Sequence, residues 1–182
     1  LNNISLAQQA LRQWSEAEQT IRQSLTLLDW QAEDSDPSET TLLASALDIY
    51  GQWLYHQGQT EAALDLWVQA EQYYPANTPN ILGAIVQNQL NQAQALQYLG
   101  RHLDSQTLLS NLHAQLQNPP LNLSVDTQLD ILLNFGRILR LVGNLDNGTP
   151  NALAILQDAE KLVADSNSNR LSALQLELGN IQ

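Results

Sequence analysis

The chain has 182 residues, of which 43% are hydrophobic and 14% charged, and its formal net charge is −12. It lacks the basic stripe with which proteins displace counterions from phosphate backbones, so we expect no nucleic-acid partner. The absence of cysteine excludes disulfides and thiol chemistry. No apolar run approaches the ~20 residues of a membrane span, so we expect no membrane insertion.

Apolar residues recur at helical spacing along almost the whole chain, and no stretch alternates as a strand does. Short turn clusters break this pattern into predicted helices at about Asn2–Gln13, Ser15–Leu28, Pro37–Gln57, Thr60–Tyr73, Pro79–Leu99, Leu103–Leu116, Val125–Val142, Pro150–Ala164 and Asn169–Gln182. Three of the starts carry a capping residue followed by proline: Asp36-Pro37, Thr78-Pro79 and Thr149-Pro150.

The predicted helices come in pairs, and the pairs repeat. A small residue opens the second helix of each pair, at Ala17, Ala63, Ser105 and Ala152, with separations of 46, 42 and 47 residues. A glycine follows three of the first helices: Gly58, Gly100 and Gly143. Glycine adopts a positive φ without steric strain, so each of these residues is expected to end its helix. A period of this size in paired helices indicates a solenoid of helical hairpins.

The clearest repeat runs from Gly51 to Pro75. Packed helices lie about 8–10 Å apart, and their closest approach needs side chains of minimal size. Gly51 is therefore predicted to be a closest-approach point on the first helix, with Ala63 as its partner on the second. The same spacing predicts Trp67 in the core.

These positions resemble a tetratricopeptide repeat, which has Gly or Ala in mid-helix, Gly at the turn, and Ala twice in the second helix before a terminal Pro. Five residues match at the right spacing: Gly51, Gly58, Ala63, Ala70 and Pro75. Around Phe135 and Gly136 the first helix of another repeat matches, and an insertion at Asn144–Thr149 follows it. In the repeat before that one, Gln89 and Gln92 occupy usually apolar places, so Val86 and Leu90 are expected on the buried side.

The resemblance implies an all-α, right-handed α-α superhelix of about four hairpins, forming a single domain over residues 1–182. Partial repeats at both ends imply a fragment of a longer array, able to self-associate through its truncated ends. At the last of these, Leu174 is expected to take the apolar role that Gln175 does not fill. The phrases QWSEAEQTIRQSL and NQAQALQYLG further resemble the N-terminal repeat regions of bacterial CHAT-domain proteins, whose caspase-like domain this chain does not contain.

Non-enzymatic recognition of a protein or peptide is the function that the resemblance implies, on the concave surface lined by first helices. Carried over to this chain, that surface comprises Asp48, Gln52, Tyr55, His56, Gln94, Gln97, Tyr98, Asp130, Leu133, Arg137 and Arg140. Two alternatives stay open: a regulatory or sensor arm of a larger caspase-like protease, and a structural spacer or oligomerisation segment. A cytoplasmic location is favoured, although the sequence carries no direct sign of the compartment.

Catalytic chemistry finds no support in the sequence. His56, His102 and His113 have no metal-ligand neighbour at the helical spacing of a zinc motif. Without cysteine a zinc site would need carboxylates, and no cluster of them suggests one, so no metal site is expected. Pairs such as Asp126 and Asp130 fall at a helix start, where acidic residues favour the helix dipole. Nucleotide-binding and nucleophile motifs are absent from the sequence, so neither a cofactor nor an enzymatic activity is predicted.

Arg137 and Arg140 are the sharpest candidates on the predicted surface. They are three residues apart, so they share one helix face, and they are two of only seven basic residues. A planar guanidinium fork suits carboxylates, which predicts an acidic or C-terminal peptide as partner. The alternative is that both arginines pair with nearby acids such as Asp130 or Asp158.

Overall fold

A computed structural model describes residues 1–28, 37–75, 81–117, 123–146, 150–164 and 171–180. These ranges contain helices and turns and no β-strand, which confirms the all-α prediction. The described helices are α1 (Asn2–Ala10), α2 (Trp14–Leu27), α3 (Pro37–His56), α4 (Thr60–Tyr73), α5 (Leu82–Tyr98), α6 (His102–Gln117), α7 (Val125–Leu141), α8 (Ala152–Ala164) and α9 (Leu171–Gly179). None of them combines the length and the apolar character of a bilayer span.

One turn geometry ends α1, α3, α5 and α7. A residue with left-handed φ follows each of these helices: Arg12 at 60°, Gly58 at 79°, Gly100 at 74° and Gly143 at 88°. Its amide bonds back three residues, and the next amide bonds back five, as in Gly58 N to Tyr55 O (3.0 Å) and Gln59 N to Leu54 O (2.9 Å). This is the Schellman pattern, which satisfies the last carbonyls of a helix. The three predicted turn glycines are thereby confirmed.

The predicted small residues of the second helices are all fully buried: Ala17, Ala63, Ser105 and Ala152. Four residues further on, each of these helices places a large side chain in the core: Ile21, Trp67, Leu109 and Leu156. Seven residues before each left-handed turn residue lies another small buried one: Ser5, Gly51, Ala93 and Gly136. The helix pairs therefore share a register of small and large side chains, and not merely a period in sequence.

Gly51 is a point of close approach, as predicted, and the atoms nearest to it belong to Trp67. A Cβ at Gly51 would lie 2.6 Å from Nε1 of Trp67, and one at Gly136 would lie 2.6 Å from Cδ2 of Leu156. The large residue of the second helix therefore covers the glycine. Ala63 lies one turn earlier on α4, where it is fully buried.

Contacts between helices divide the chain into two units, Leu1–Ala95 and Leu96–Gln182. In the first unit, α1 packs on α2 and α3, and α3 packs on α4. Its core is built by residues of α2, α3 and α4: Ile21, Leu25, Leu43, Ala46, Leu47, Ile49 and Ala70. Polar side chains join α1 to this core, because Ser5 Oγ donates to Ala17 O at 2.9 Å and Gln9 Nε2 donates to Ile49 O at 3.2 Å.

The second unit is organised around α7, which packs against α6, α8 and α9. Nine residues of α7 are buried, among them Phe135, Ile138 and Leu139. On α9, Leu174 is buried and Gln175 is exposed, which confirms the expected exchange of roles.

One predicted helix start needs correction, and another lies outside the described residues. Helix α8 begins at Ala152 and not at Pro150, because the Oδ1 of Asn151 accepts the amide of Ala154 at 2.9 Å and so caps the helix. Thr149 lies outside the described residues, as do Asp36, Thr78 and Pro79. Val86 and Leu90 are buried as expected, yet Gln92 is buried beside them.

Candidate functional site

An open cavity of about 530 Å³ lies where the C-terminal end of α3 meets the turn between α1 and α2. Two of the predicted surface residues, Gln52 and His56, line it. The rest of its lining comes from α1 and from the start of α2: Leu6, Gln9, Ala10, Arg12 and Trp14. Its volume falls within the range of small-ligand pockets, and its walls combine apolar surface with amide, imidazole and guanidinium groups.

Hydrogen bonds and ring contacts fix the walls of this cavity. The indole of Trp53 donates to Trp14 O at 2.8 Å, which ties the start of α2 to α3. The rings of Trp14 and His56 lie 5.5 Å apart at 43°. From His56 the contacts continue to Tyr55 at 6.3 Å, and from Tyr55 to Trp67 at 5.7 Å. Aromatic pairs at such distances stabilise beyond their buried area, so the end of α3 presents a pre-formed surface.

Arg12 stands at the rim of the cavity and is exposed. Among the basic residues of the described ranges, it alone has no carboxylate within 4.0 Å. The others form ion pairs: Arg22 with Glu18, Arg101 with Asp104, Arg137 and Arg140 with Glu177, and Lys161 with Asp158. A cation with no carboxylate partner among the described residues is available to an anion from outside.

Asp48, the first residue of the predicted surface, belongs to a polar cluster between α3, α4 and α5. Tyr74 Oη and Asn88 Nδ2 both donate to its carboxylate. Asn88 Nδ2 also donates to Trp67 O at 2.9 Å, and the Trp67 indole donates to Asp48 O at 3.1 Å. The cluster therefore couples Asp48 to the same tryptophan that covers Gly51.

The cluster continues along α5 to a second carboxylate. Gln92 Nε2 donates to Asn88 Oδ1 at 2.6 Å and to Glu71 Oε2 at 2.9 Å, and Gln89 Nε2 donates to Glu71 Oε1 at 2.6 Å. Gln89 and Gln92 thus occupy usually apolar positions because the acceptor they need lies opposite, on α4.

Burial in this cluster shifts two acidities. Loss of water raises the pKa of Asp48 to about 6, although the bonds from Tyr74 and Asn88 oppose the shift. Burial, the charge of Asp48 and the bond to it raise the pKa of the Tyr74 phenol. An acidic side chain held this way joins three helices, and this role leaves it less free to contact a ligand.

The remaining predicted residues are not among those that line this cavity. On α5, Gln94 is exposed, Gln97 Nε2 donates to Ser105 Oγ at 3.1 Å, and Tyr98 is 71% exposed. On α7, the backbone oxygen of Asp130 accepts from Asn134 at 2.7 Å, and Leu133 is only 6% exposed, which leaves little of its side chain for a ligand.

Arg137 and Arg140 both face Glu177 of α9. Arg137 Nε lies 2.7 Å from Glu177 Oε1, and Arg140 Nη2 lies 3.4 Å from Oε2. The Glu177 side chain is only 4% exposed, whereas those of Arg137 and Arg140 are 43% and 25% exposed. The acid that pairs with both arginines is thus Glu177, which was not foreseen because an acidic residue on a helix is ordinarily expected to be solvent-exposed.

The described residues hold no group of three His, Asp or Glu side chains that could bind a metal ion. His113 instead lies against Phe135 with ring centroids 5.3 Å apart, and burial lowers its pKa. This packing accounts for His113 without a ligand.

Sequence reasoning found Gln52 and His56 but missed Gln9, Arg12 and Trp14 as their neighbours. One signal was present: Arg12 stands five residues before Ala17, and the residues five before Ala63 and Ser105 are glycines. A long cationic side chain at such a place is a departure from the repeat.

Taken together, fold and site describe an all-helical protein of paired helices with a shared register and an open, mixed-polarity cavity. Comparison with protein-family models, with curated proteins and with solved structures gave no match to this chain.

Proposed function

We propose that the protein is a non-enzymatic scaffold that binds a peptide segment of another protein. The helix pairs would continue as a right-handed superhelix of the tetratricopeptide type, as in the repeat regions of CHAT-domain proteins that the sequence resembles. The first helices would then supply the binding surface. In the first unit that surface centres on Gln52, Tyr55 and His56, since Asp48 is engaged in the polar cluster.

The observation that carries the proposal is the cavity at the end of α3. It is open, it holds two side chains that the repeat register assigns to the binding surface, and its aromatic wall is fixed by contacts with Trp14 and Tyr55. Amide side chains such as Gln52 both donate and accept, which matches the backbone of an extended peptide. The shared register of the helix pairs supports the tetratricopeptide assignment on which this surface depends.

Selection of peptides from a random displayed library, followed by titration of the isotope-labelled protein, tests the proposal. Selected peptides should perturb amide signals of the first helices, and the largest changes should fall at Gln52, Tyr55 and His56. Gln52→Ala should weaken binding about 2- to 12-fold, the value of one hydrogen bond. Gln57→Ala is the matched control, because Gln57 is exposed just beyond α3 and lies outside the cavity.

Two results would contradict the proposal. Either no peptide is enriched, or both glutamine variants weaken binding equally. A spacer or an oligomerisation segment predicts the first of these results. A sensor arm that acts only on its own protease domain predicts it as well.

A further inference from the structure

The turn between α1 and α2 differs from the other three turns in the residue that takes the left-handed conformation. Gly58, Gly100 and Gly143 take the left-handed conformation that glycine adopts without strain, but the first turn has Arg12 at φ 60°. An arginine pays a steric cost there, because its Cβ crowds the following carbonyl. Backbone outliers of this kind cluster at functional sites, where the side chain is needed.

The lack of a carboxylate partner for Arg12 among the described residues is a second, independent observation. The chain is strongly acidic at −12, yet among the basic residues of the described ranges Arg12 is the one without a carboxylate partner. Arg12 is also one of the residues that line the open cavity.

The composition of that cavity is the third observation. Arg12 shares the cavity with the amides of Gln9 and Gln52, with the imidazole of His56, and with the apolar surface of Leu6, Ala10 and Trp14. The Gln9 side chain is buried and held by its bond to Ile49 O. Polar side chains and apolar surface thus line the same cavity.

We propose that Arg12 anchors a carboxylate of the bound peptide, and that an adjacent apolar side chain of the peptide enters the cavity against Leu6 and Trp14. The inference rests on the proposed peptide-binding function and specifies its ligand. The carboxylate comes either from an acidic side chain or from the C-terminus of the peptide. Arginine presents two parallel N–H donors to such a group.

A carboxylate fits this site better than a phosphate. Phosphopeptide sites use clusters of arginine to balance a charge of nearly −2. Here a single guanidinium stands on an acidic protein, so a second negative charge would be repelled by its surroundings. The single positive charge of the guanidinium matches the single negative charge of a carboxylate.

The experiment uses four synthetic pentapeptides that share the same leucine and phenylalanine residues. One has a free C-terminus and neutral side chains, and the second is its C-terminal amide. The third is an amide with an internal glutamate, and the fourth has glutamine in place of that glutamate. Binding is followed at millimolar concentration through the indole signal of Trp14 and the side-chain amide signal of Gln52. We expect one or both acids to bind, and the neutral peptides to bind at least about tenfold more weakly.

Three variants assign the effect to Arg12. Arg12→Gln removes the charge, and Arg12→Gly also removes the strain and reproduces the residue of the other turns. Arg101→Gln is the control, since it deletes an equal charge from an exposed ion pair in the second unit. Both Arg12 variants should bind the acidic peptides at least about tenfold more weakly than wild type. Arg12→Gly should unfold at the same urea concentration as wild type or higher, so its loss of binding is not a loss of fold.

Several outcomes would overturn the inference. They are equal binding of acidic and neutral peptides, unchanged binding by Arg12→Gly, or no signal change with any of the four peptides. If library-selected peptides still bind while one of these outcomes is found, the peptide-binding function stands and the carboxylate anchor is wrong. If neither the library nor the four peptides yield binding, both are wrong.

Discussion

Gly51 lies under the indole of Trp67, and the missing side chain at this position lets α3 and α4 pack as they do. Nε1, Cδ1 and Cε2 of the ring would lie 2.6, 2.9 and 3.0 Å from a Cβ there. The ring cannot yield easily, since its Nε1 donates to Asp48 O at 3.1 Å and it belongs to the polar cluster. The helix propensity that alanine would add, about 1 kcal/mol, is therefore opposed by overpacking.

Gly51→Ala should lower the free energy of unfolding by up to about 2 kcal/mol, because the overpacking penalty of about 1–3 kcal/mol is offset by only about 1 kcal/mol of helix propensity. Gly83→Ala is the control, since Gly83 lies in α5 with nothing within 4 Å of an added Cβ. That change should be neutral or stabilise by up to about 1 kcal/mol. Urea unfolding followed by tryptophan emission measures both. A more stable Gly51→Ala protein would show that the indole moves freely.

Ionisation of the Asp48 carboxyl lowers the free energy of unfolding, although the side chain makes several hydrogen bonds. Its pKa of about 6 in the folded protein exceeds the ordinary 3.8, chiefly because burial penalises the charged form. Between these values the folded chain keeps a proton that the unfolded chain releases, so stability falls as pH rises through this window. Each pH unit of the window is worth about 1.4 kcal/mol, so the cost at pH 7 is at most about 3 kcal/mol.

Asp48→Asn should therefore raise the free energy of unfolding at pH 7, by up to about 3 kcal/mol, and the gain should vanish near pH 4. An amide keeps the geometry, because it can accept from Asn88 and donate to the Tyr74 hydroxyl. Comparing the variant with wild type at each pH cancels the contributions of groups that do not interact with Asp48. Asp65→Asn, at an exposed position of α4, is the control. A destabilised Asp48→Asn protein at pH 7 would mean that the charged form is favoured in the cluster.

Helix α9 is held against α7 partly by an ion pair. It is nine residues long, and its one buried acid, Glu177, faces two arginines of α7. An isolated helix of this length is unstable in water, so packing must hold it. The pair is asymmetric: the arginines are partly exposed and can be hydrated alone, whereas the glutamate cannot. Removing the two arginine charges should therefore lower the free energy of unfolding by a different amount than removing the glutamate charge.

The double variant Arg137→Gln, Arg140→Gln should release α9 more completely than Glu177→Gln, because it leaves a buried carboxylate without a partner. Such a loss costs about 3–5 kcal/mol when the charge stays buried. Hydrogen exchange over Leu171–Gly179 measures the release, and Glu160→Gln on the exposed side of α8 is the control. Equal protection of α9 in all three variants would show that Leu174 alone holds the helix.

On the scale of the whole molecule, the sequence predicted what depends on local pattern. Helix α4 begins and ends where predicted, and the turn glycines have the expected φ, because periodicity and turn chemistry are written within a few residues. The burial of the small residues followed from their spacing alone. What covers Gly51 did not follow, since a spacing does not say which residue of the partner helix reaches it.

Polar residues in the core were the part that the sequence concealed. Asn88, Gln92 and Glu177 lie on helices where polar side chains ordinarily face water, and each is buried because a partner on another helix offers the matching group. The cavity was concealed for a related reason. Its wall joins the turn at Arg12 to Gln52, forty residues later, and no periodicity links the two.

The stretch between Gly143 and Ala152 has a consequence for how this chain can vary. Nine residues separate the turn residue from the small residue here, against five in the other helix pairs. Two backbone bonds, Ala152 N to Asn144 O (2.8 Å) and Leu153 N to Leu145 O (3.0 Å), close the base of the extra segment. Lengthening a closed loop costs only about 0.6 kcal/mol per doubling. The loop between α7 and α8 is thus a suitable site for inserting foreign sequence. An insertion there should leave the packing of α7 against α8 unchanged, because the two backbone bonds separate the loop from the helices.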